Sequence, residues 1–522
     1  MFDLAFVGMV MYNKKDYINL CILMIGGIQG IFMLYRQIRK VSKSRLFDAS
    51  WYVREYPDVM QSKMKPAEHY VKKGWMEGKD PSELFKTEEY LEINKDVRDS
   101  GMCPLYHFET KGRYEGRRMG IELTDANNDI YAVKKNYHIL KLKIITCMKS
   151  CVYSRIKIKN RQILFRTFQN EYTCNPKYIC EALLRRKPDY DIYWVIGKNS
   201  NISAFPKNVH LVLENTRKLN RIVATSKVII DNGVASFSDS LNKKRKQVGI
   251  CTWHGSLGFK KIGISEKSDD CDKLQAERYN KYHDYLITNS TFEENVFKES
   301  FWPNAELLKF GHARNDILLN QNNRNHLREK VFKVLGLREE YKYAMYAPTV
   351  NSCGEGELTE NDFFTDENIR ELIKALSKKF GGEWRILYRH HHEDTYVDKI
   401  DNEAIMDVSD YIDIQELMVC IDAGITDYSS WILDYILTKK PAFIYAYNKE
   451  AYEQEKGFFY PIENSPIPVA KNYQELIENI NNWSSDKYEN AIERFLNDKG
   501  CYDDGMASER IADKIIQITG KD

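Results

Sequence analysis

Four short polar clusters carry the residue types that move protons and hold phosphate. They are Thr252-Trp253-His254-Gly255-Ser256 with Lys260, Lys261 and Gly263 behind it; Gly311-His312-Ala313-Arg314-Asn315-Asp316; Tyr388-Arg389-His390-His391-His392-Glu393; and Ile425-Thr426-Asp427-Tyr428-Ser429-Ser430, with Asp434 one turn further on. An apolar strand that delivers His254 into a glycine-containing loop suits a general base. The lysines after it suit a polyanion. Small hydroxyl residues between a strand and a helix make a phosphate site, because free N–H groups and the helix dipole favour anions. The three adjacent histidines invite a metal, but consecutive side chains in an extended segment point to opposite faces. His390 and His392 could share a face but find no third ligand nearby, so no metal is expected. Each cluster alone also has a bland counterpart, a packed histidine or a plain N-cap.

The elements that must position these clusters begin near residue 160. Apolar runs such as RQILF, DIYWVIG, SKVIID, GICTW, DYLITNS, KYAMYAP, WRILYR, CIDAGITD and PAFIYAY alternate with helical stretches of 3.6 periodicity, for example ENIRELIKALSKKF. That alternation predicts α/β architecture with doubly wound parallel sheets. Its length predicts two such domains facing a cleft, 161–320 and 321–522. The polar clusters then fall at strand ends, where sheets of this kind bind ligands.

Upstream, residues 46–81 match 84–119 at a fixed offset of 38: Phe47 with Phe85, Tyr52 with Tyr90, Asp58 with Asp96, Pro66 with Pro104, His69 with His107 and Gly74 with Gly112. Two stacked helical repeats are expected, each with a turn at its Pro and closed by its Gly. The paired histidines are expected to pack or cap. Residues 120–160 form a basic linker; from Ile130 to Asn170 there are ten Lys or Arg and no Asp or Glu. An anionic membrane surface or a polyanionic polymer fits this run, and so does a plain solvated face. Residues 1–45 hold the one long apolar run, Ile18 to Tyr35, followed by Arg36, Arg39, Lys40, Lys43 and Arg45. A membrane anchor, an interfacial helix and a buried segment all remain open there. The string FDLAFVGMVMYNKKDYINLCILMIGGIQ also resembles the opening strand and helix of inverting family 2 glycosyltransferases, without the acidic nucleotide motif of that family.

Composition narrows the rest. The 522 residues carry 77 basic and 75 acidic side chains, a formal charge of +2, with 43% hydrophobic residues. This excludes global disorder and a polytopic membrane protein and gives no nucleic-acid signature. The eleven cysteines are odd in number, scattered and without a CxxC pair, as in a reducing cytoplasm.

Taken in order, the motifs RTFQNEYTCNPKYICEALL, QVGICTWHGSLGFKKIG, HDYLITNSTFEENVF, FGHARNDIL, YAPT, YRHHH, CIDAGITDYSSWILDYILTKKPAFIYA and EKGFFY resemble those of the CDP-glycerol:poly(glycerophosphate) glycerophosphotransferases of teichoic-acid and capsule synthesis. The resemblance covers about Gln162 to Gln517 and implies a GT-B-like fold that transfers a polyol phosphate. It implies that His254 is the base on the acceptor hydroxyl and that His391, with Arg389, lies near the donor phosphates. Arg314, Thr349, Thr426, Asp427, Ser429, Ser430 and Asp434 fall on motifs of the donor site, with Lys260 and Lys261 as further phosphate contacts. The implied partners are a CDP-polyol donor, a polyol-phosphate or glycan acceptor on a lipid, and an anionic membrane at its cytoplasmic face. No cofactor, metal or nucleic acid is implied. A CDP-ribitol-dependent transferase and a nucleotide-sugar GT-B enzyme stay open as alternatives. The chain departs from the family pattern WHGTPLKKLG by lacking its Pro and having one more residue, and it has Ala313 where the family has Pro.

Overall fold

The computed structural model describes residues 34, 36–62, 64–113, 117, 146–233, 241–258, 260–262, 280–300, 302–320, 324–349, 363, 365–390, 402–455 and 457–520. The chain divides into two compact units, Met1–Val133 and Lys134–Asp522. The apolar run from Ile18 lies outside the described residues but for Leu34. None of the described helices is long and apolar enough to cross a membrane.

In the first unit the 38-residue periodicity becomes repeated local structure. Short helices Ala49–Glu55 and Thr87–Ile93 open the two repeats, and Pro66 and Pro104 each start a helix that widens at Tyr70 and Phe108. Proline is favoured at that first helical position because its missing N–H has no intrahelical partner to lose. The paired histidines are buried and bonded: Tyr52 Oη lies 3.0 Å from His69 Nδ1, and Tyr90 Oη lies 2.9 Å from His107 Nδ1. A Cβ at Gly74 or Gly112 would overlap the same tyrosine hydroxyl, so the closing glycine is required by the Tyr–His bond. Tyr52, Tyr70, Phe85, Tyr90, Leu105 and Phe108 share one core across both repeats.

The second unit holds two all-parallel sheets. In the first, β1 (Lys159–Arg166), β2 (Asp191–Ile196), β3 (His210–Leu213), β4 (Ser226–Asp231), β5 (Val248–Cys251), β6 (Tyr285–Thr288) and β7 (Glu306–Lys309) stand in the order β3-β2-β1-β4-β5-β6-β7. In the second, β8 (Tyr341–Tyr346), β9 (Glu383–Tyr388), β10 (Ile405–Asp407), β11 (Ala423–Thr426), β12 (Ala442–Tyr445) and β13 (Val469–Ala470) stand in the order β10-β9-β8-β11-β12-β13. Both orders reverse direction once, between β1 and β4 and between β8 and β11. The expected doubly wound, GT-B-like architecture is the one observed. Inner strands are buried on both faces, which is why they read as continuous apolar runs.

The division expected at residue 320 needs one amendment. The helix Ala507–Thr519, expected in the second domain, returns to the first sheet: Ile511, Ala512 and Ile515 pack in one core with Ile163, Phe165 and Trp194. Its apolar stripe at i, i+4 spacing finds its partner there, on the helix Cys174–Arg186. The outgoing and returning segments are tied side by side. Asp503 accepts from the His312 N–H (2.7 Å) and the Asn315 Nδ2 (3.0 Å), and Asp316 accepts from the N–H groups of Ala507 (2.9 Å) and Ser508 (2.7 Å).

Candidate active site

Each sheet reverses its winding at a point where two loops diverge, and such crevices at strand carboxyl ends are where ligands sit. In the first sheet the β1 and β4 ends are continued by Phe168 and Asn232. His254 follows β5 and is held from the β4 end: its Nδ1 donates to the Asn232 carbonyl at 2.6 Å. A carbonyl can only accept, so in the neutral ring Nε2 carries the lone pair a base requires. Trp253 lies against the same imidazole, 4.3 Å between centroids, and Phe168 stacks on it at 5.2 Å with the planes 25° apart. Trp253 and Leu257 both take positive φ, 50° and 46°, so the loop around Gly255 is a tight, irregular turn.

In the second sheet the β8 and β11 ends meet through Thr349 and Asp427. One carboxylate oxygen of Asp427 accepts from Thr349 N and Thr349 Oγ1, both at 2.8 Å, and also from Tyr428 N. Thr426 donates to the Ala347 carbonyl at 2.6 Å. Ser429 and Ser430 are half-buried, and Ser430 stands just before the helix Trp431–Tyr435.

The loop after His254 crosses to this second crevice. Lys260 Nζ donates to Thr349 Oγ1 at 3.2 Å and lies over the Tyr452 ring, 5.4 Å from its centroid. Lys261 N donates to the Gly457 carbonyl at 3.1 Å, and Tyr460 Oη donates to the Leu257 carbonyl. A Cβ on Gly258 would stand only 3.6 Å from Ser430 Cβ. The chain therefore brings the His254 loop, with Lys260, to Thr349, Asp427 and the Ser429-Ser430 turn, groups scattered over 177 residues of sequence.

Three expected donor residues have other partners. Arg314 and Asp434 are buried against each other, Nε to Oδ2 at 2.9 Å, and Arg314 also donates to the His254 carbonyl. Burial opposes the Arg314 charge, but the adjacent Asp434 carboxylate more than offsets it, so its pKa is raised. Asp434 further accepts from Asn315 Nδ2 (3.1 Å) and Gln415 Nε2 (3.2 Å). The pair thus joins the first lobe, through the His254 loop, to the second. Arg389, expected at the donor phosphates, gives its guanidinium to the backbone carbonyls of Val408, Ser409, Tyr411 and Ile412. A guanidinium offers five donors in a fixed fork, and here the fork closes on a turn of carbonyls. Burial lowers its pKa. His391 lies outside the described residues.

Several groups at this junction were given no role of their own by the sequence. Asn175 donates to the carbonyls of Thr252 (3.0 Å) and Trp253 (3.1 Å), bracing the His254 loop from behind. His312 Nε2 is 2.9 Å from Glu293, fully buried; burial alone would lower its pKa, but Glu293 raises it. Burial pushes the Asp503 carboxyl up to about 6. Lys177 Nζ reaches Asp413 (2.5 Å) and Glu416 (2.6 Å) from the other lobe, and Lys330 also binds Glu416 (2.7 Å). Asn175 and Lys177 sit in the NPKY string, but their partners are more than 70 and 230 residues away, beyond any local pattern.

Among the described residues two groups could bring three metal-ligand atoms together. In the first, Asp231, Cys251 and His283, the Trp302 indole N–H donates to His283 Nδ1 at 3.1 Å. The neutral ring must then carry its proton on Nε2, 3.0 Å from Asp231 Oδ2, and has no lone pair there for a metal. In the second, Asp58, His69 and Glu77, the Lys79 ammonium lies between the two carboxylates at 2.8 and 2.5 Å. Both groups are accounted for by protein partners.

Residues 148–517 match the profile of the family described as CDP-Glycerol:Poly(glycerophosphate) glycerophosphotransferase. A Teichoic acid poly(glycerol phosphate) polymerase of Staphylococcus epidermidis is 29% identical over 373 residues, 69% of this chain and 51% of that protein. A protein of the same description from Bacillus subtilis is 25% identical over 410 residues, 74% of this chain and 54% of that protein. The chain spans about half the length of these two relatives. Among solved structures, the Wall Teichoic Acid Polymerase TagF, in a variant soaked with CDPG, aligns with a TM-score of 0.60 at 26% identity, covering 76% of this chain and 98% of that chain.

Proposed function

The chain belongs to the CDP-glycerol:poly(glycerophosphate) glycerophosphotransferase family, and on that premise we propose that it transfers glycerol phosphate, or a close polyol phosphate, from CDP-glycerol to an acceptor hydroxyl. CMP is released. The acceptor is a cell-surface polymer or its lipid-linked precursor, in teichoic-acid-like or capsular polymer synthesis. The observation that carries this reading is the approach of the His254 loop to the Thr349–Asp427 crevice, which sets a base beside an anion-binding turn.

His254 Nε2 takes the proton of the acceptor hydroxyl as its oxygen attacks the β-phosphorus in line. The new P–O bond forms as the bond to the CMP oxygen breaks, and CMP carries away the bonding pair. Lys260 and the N–H groups at the Ser429-Ser430 turn hold the charge that spreads over the phosphoryl oxygens. Lys261 and His391 join them on the strength of the family resemblance. Arg314, Asp434 and Arg389 act at one remove, by fixing the loops that carry these groups.

CMP release measured across CDP-glycerol, CDP-ribitol and a panel of UDP-sugars, with products identified by mass spectrometry, tests the reading. CMP and a new phosphodiester are expected from CDP-glycerol. UDP from a UDP-sugar without CMP from any CDP-polyol refutes it, and CMP from CDP-ribitol alone reassigns the polyol. Ser429→Ala with Ser430→Ala is expected to weaken donor affinity about 10-fold by calorimetry, or 1.4 kcal/mol, with acceptor KM unchanged. An unchanged donor Kd removes the two hydroxyls from the phosphate site. Deleting residues 46–119 is expected to leave transfer to a small soluble acceptor intact, since the repeats form a core of their own; complete loss in a folded, monodisperse protein contradicts this.

The site of action we place at the cytoplasmic face of the membrane, where a lipid-linked acceptor is presented. Exposed Met148 and Val152, one helical turn apart, lie among Lys149, Arg155 and Lys157, a combination suited to an anionic lipid surface.

A further inference from the structure

Phe168 is 43% exposed, yet its ring stacks on the His254 imidazole. It follows β1 and lies beside Asn232, which follows β4, at the point where the first sheet reverses its winding. Asn232 is fully buried and holds two things at once. Its carbonyl accepts the His254 Nδ1–H at 2.6 Å, and its side-chain Oδ1 accepts the Phe168 backbone N–H at 3.0 Å. The next residue is Gly233, where a Cβ would come within 2.9 Å of Phe168 Cβ, so a side chain there would push the phenyl ring away. The remaining amide group of Asn232, Nδ2, is buried without a hydrogen-bond partner among the described residues. Leaving such a group unpaired is destabilising, and the arrangement that tolerates it is one that sets two rings face to face, 5.2 Å apart and 25° from parallel.

We propose that Phe168 is a positioning residue for His254, its ring lying on one face of the imidazole so that Nε2 is held toward the acceptor hydroxyl. The proposal rests on the reading of His254 as the general base. The Nδ1 bond to Asn232 holds one edge of the imidazole, but a hydrogen bond tolerates some tilt of the ring plane. The phenyl plane stacked on the imidazole resists that tilt. Small misplacements of a reacting group are expensive in rate, so the phenyl ring acts on kcat rather than on binding.

The test uses the full chain, CDP-glycerol and a soluble acceptor. Phe168→Leu is expected to lower kcat about 10-fold with both KM values unchanged, and Phe168→Tyr to restore most of it. The melting temperature of both variants is expected to match the parent, because so much of the ring faces solvent. A His254→Ala control is run alongside. If His254→Ala is inactive while Phe168→Leu turns over normally, the positioning role is refuted and the base assignment stands. A rise in acceptor KM at unchanged kcat also refutes it, making Phe168 part of the acceptor surface instead. If His254→Ala retains normal turnover, the base reading fails and this proposal falls with it.

Discussion

His254→Ala is expected to lower turnover at least about 10²-fold while the protein stays folded, because a positioned general base contributes on the order of 10²–10⁴-fold. The side chain is only half-buried, and its bond to Asn232 is to a backbone carbonyl that solvent can satisfy after truncation. Steady-state CMP release read together with a thermal melt separates loss of chemistry from loss of fold. His254→Gln is the sharper variant, since its amide can still donate to the Asn232 carbonyl but cannot take a proton at neutral pH. A glutamine variant with near-normal turnover would remove His254 from the mechanism.

Asp434→Leu is expected to destabilise the two-sheet unit by about 3–5 kcal/mol, the usual cost of stranding one member of a buried ion pair. Three donors lose their acceptor together, Arg314, Asn315 Nδ2 and Gln415 Nε2, all of them in a fully buried setting. Arg314→Met alone is expected to cost a similar amount, since it leaves the Asp434 charge uncompensated. Combining Arg314→Met with Asp434→Leu should recover a substantial part, because an apolar pair of similar volume needs no desolvation of charge. Urea denaturation followed by tryptophan fluorescence closes this cycle. Additive losses in the double variant would show that the two side chains do not form a unit.

The fold was legible in the sequence wherever burial was two-sided. The apolar runs that stand out in the chain are the nine inner strands of the two sheets. The four that do not, β3, β7, β10 and β13, are the four edges. Each is two to four residues long with mixed exposure, such as Ile405 to Asp407 with no buried member. An edge strand has one neighbour and one open side, and the apolar pattern that marks a strand is diluted accordingly. The candidate site shows the same limit in another form. The types at His254, Asp427 and Ser430 announced themselves because their chemistry depends on local context: a strand end, a glycine loop, a helix start; Thr349 entered only through the family resemblance. Arg389 did not announce its partners. An arginine two residues from a histidine looks like a phosphate ligand until the turn Val408–Ile412, some 20 residues on, folds back to occupy its fork. The buried Lys177, Asp413 and Glu416 group is likewise a property of the tertiary fold alone.

The side-by-side strapping of the outgoing and returning segments has a mechanical consequence. Two covalent connections spaced apart would act as a pair of struts and resist every rotation of one sheet domain against the other. Here Asp503 is bonded to His312 and Asn315, and Asp316 to Ala507 and Ser508, so both connections pass through one knot of hydrogen bonds. Struts joined at a point leave a pivot. The covalent connections therefore permit rotation about this knot, which includes Asn315, the neighbour of Arg314, whose guanidinium grips the His254 carbonyl. His254 lies near that knot and sweeps a short arc, whereas loops farther out travel farther for the same angle. Loops at the rim can open and close while the His254 ring stays nearly still.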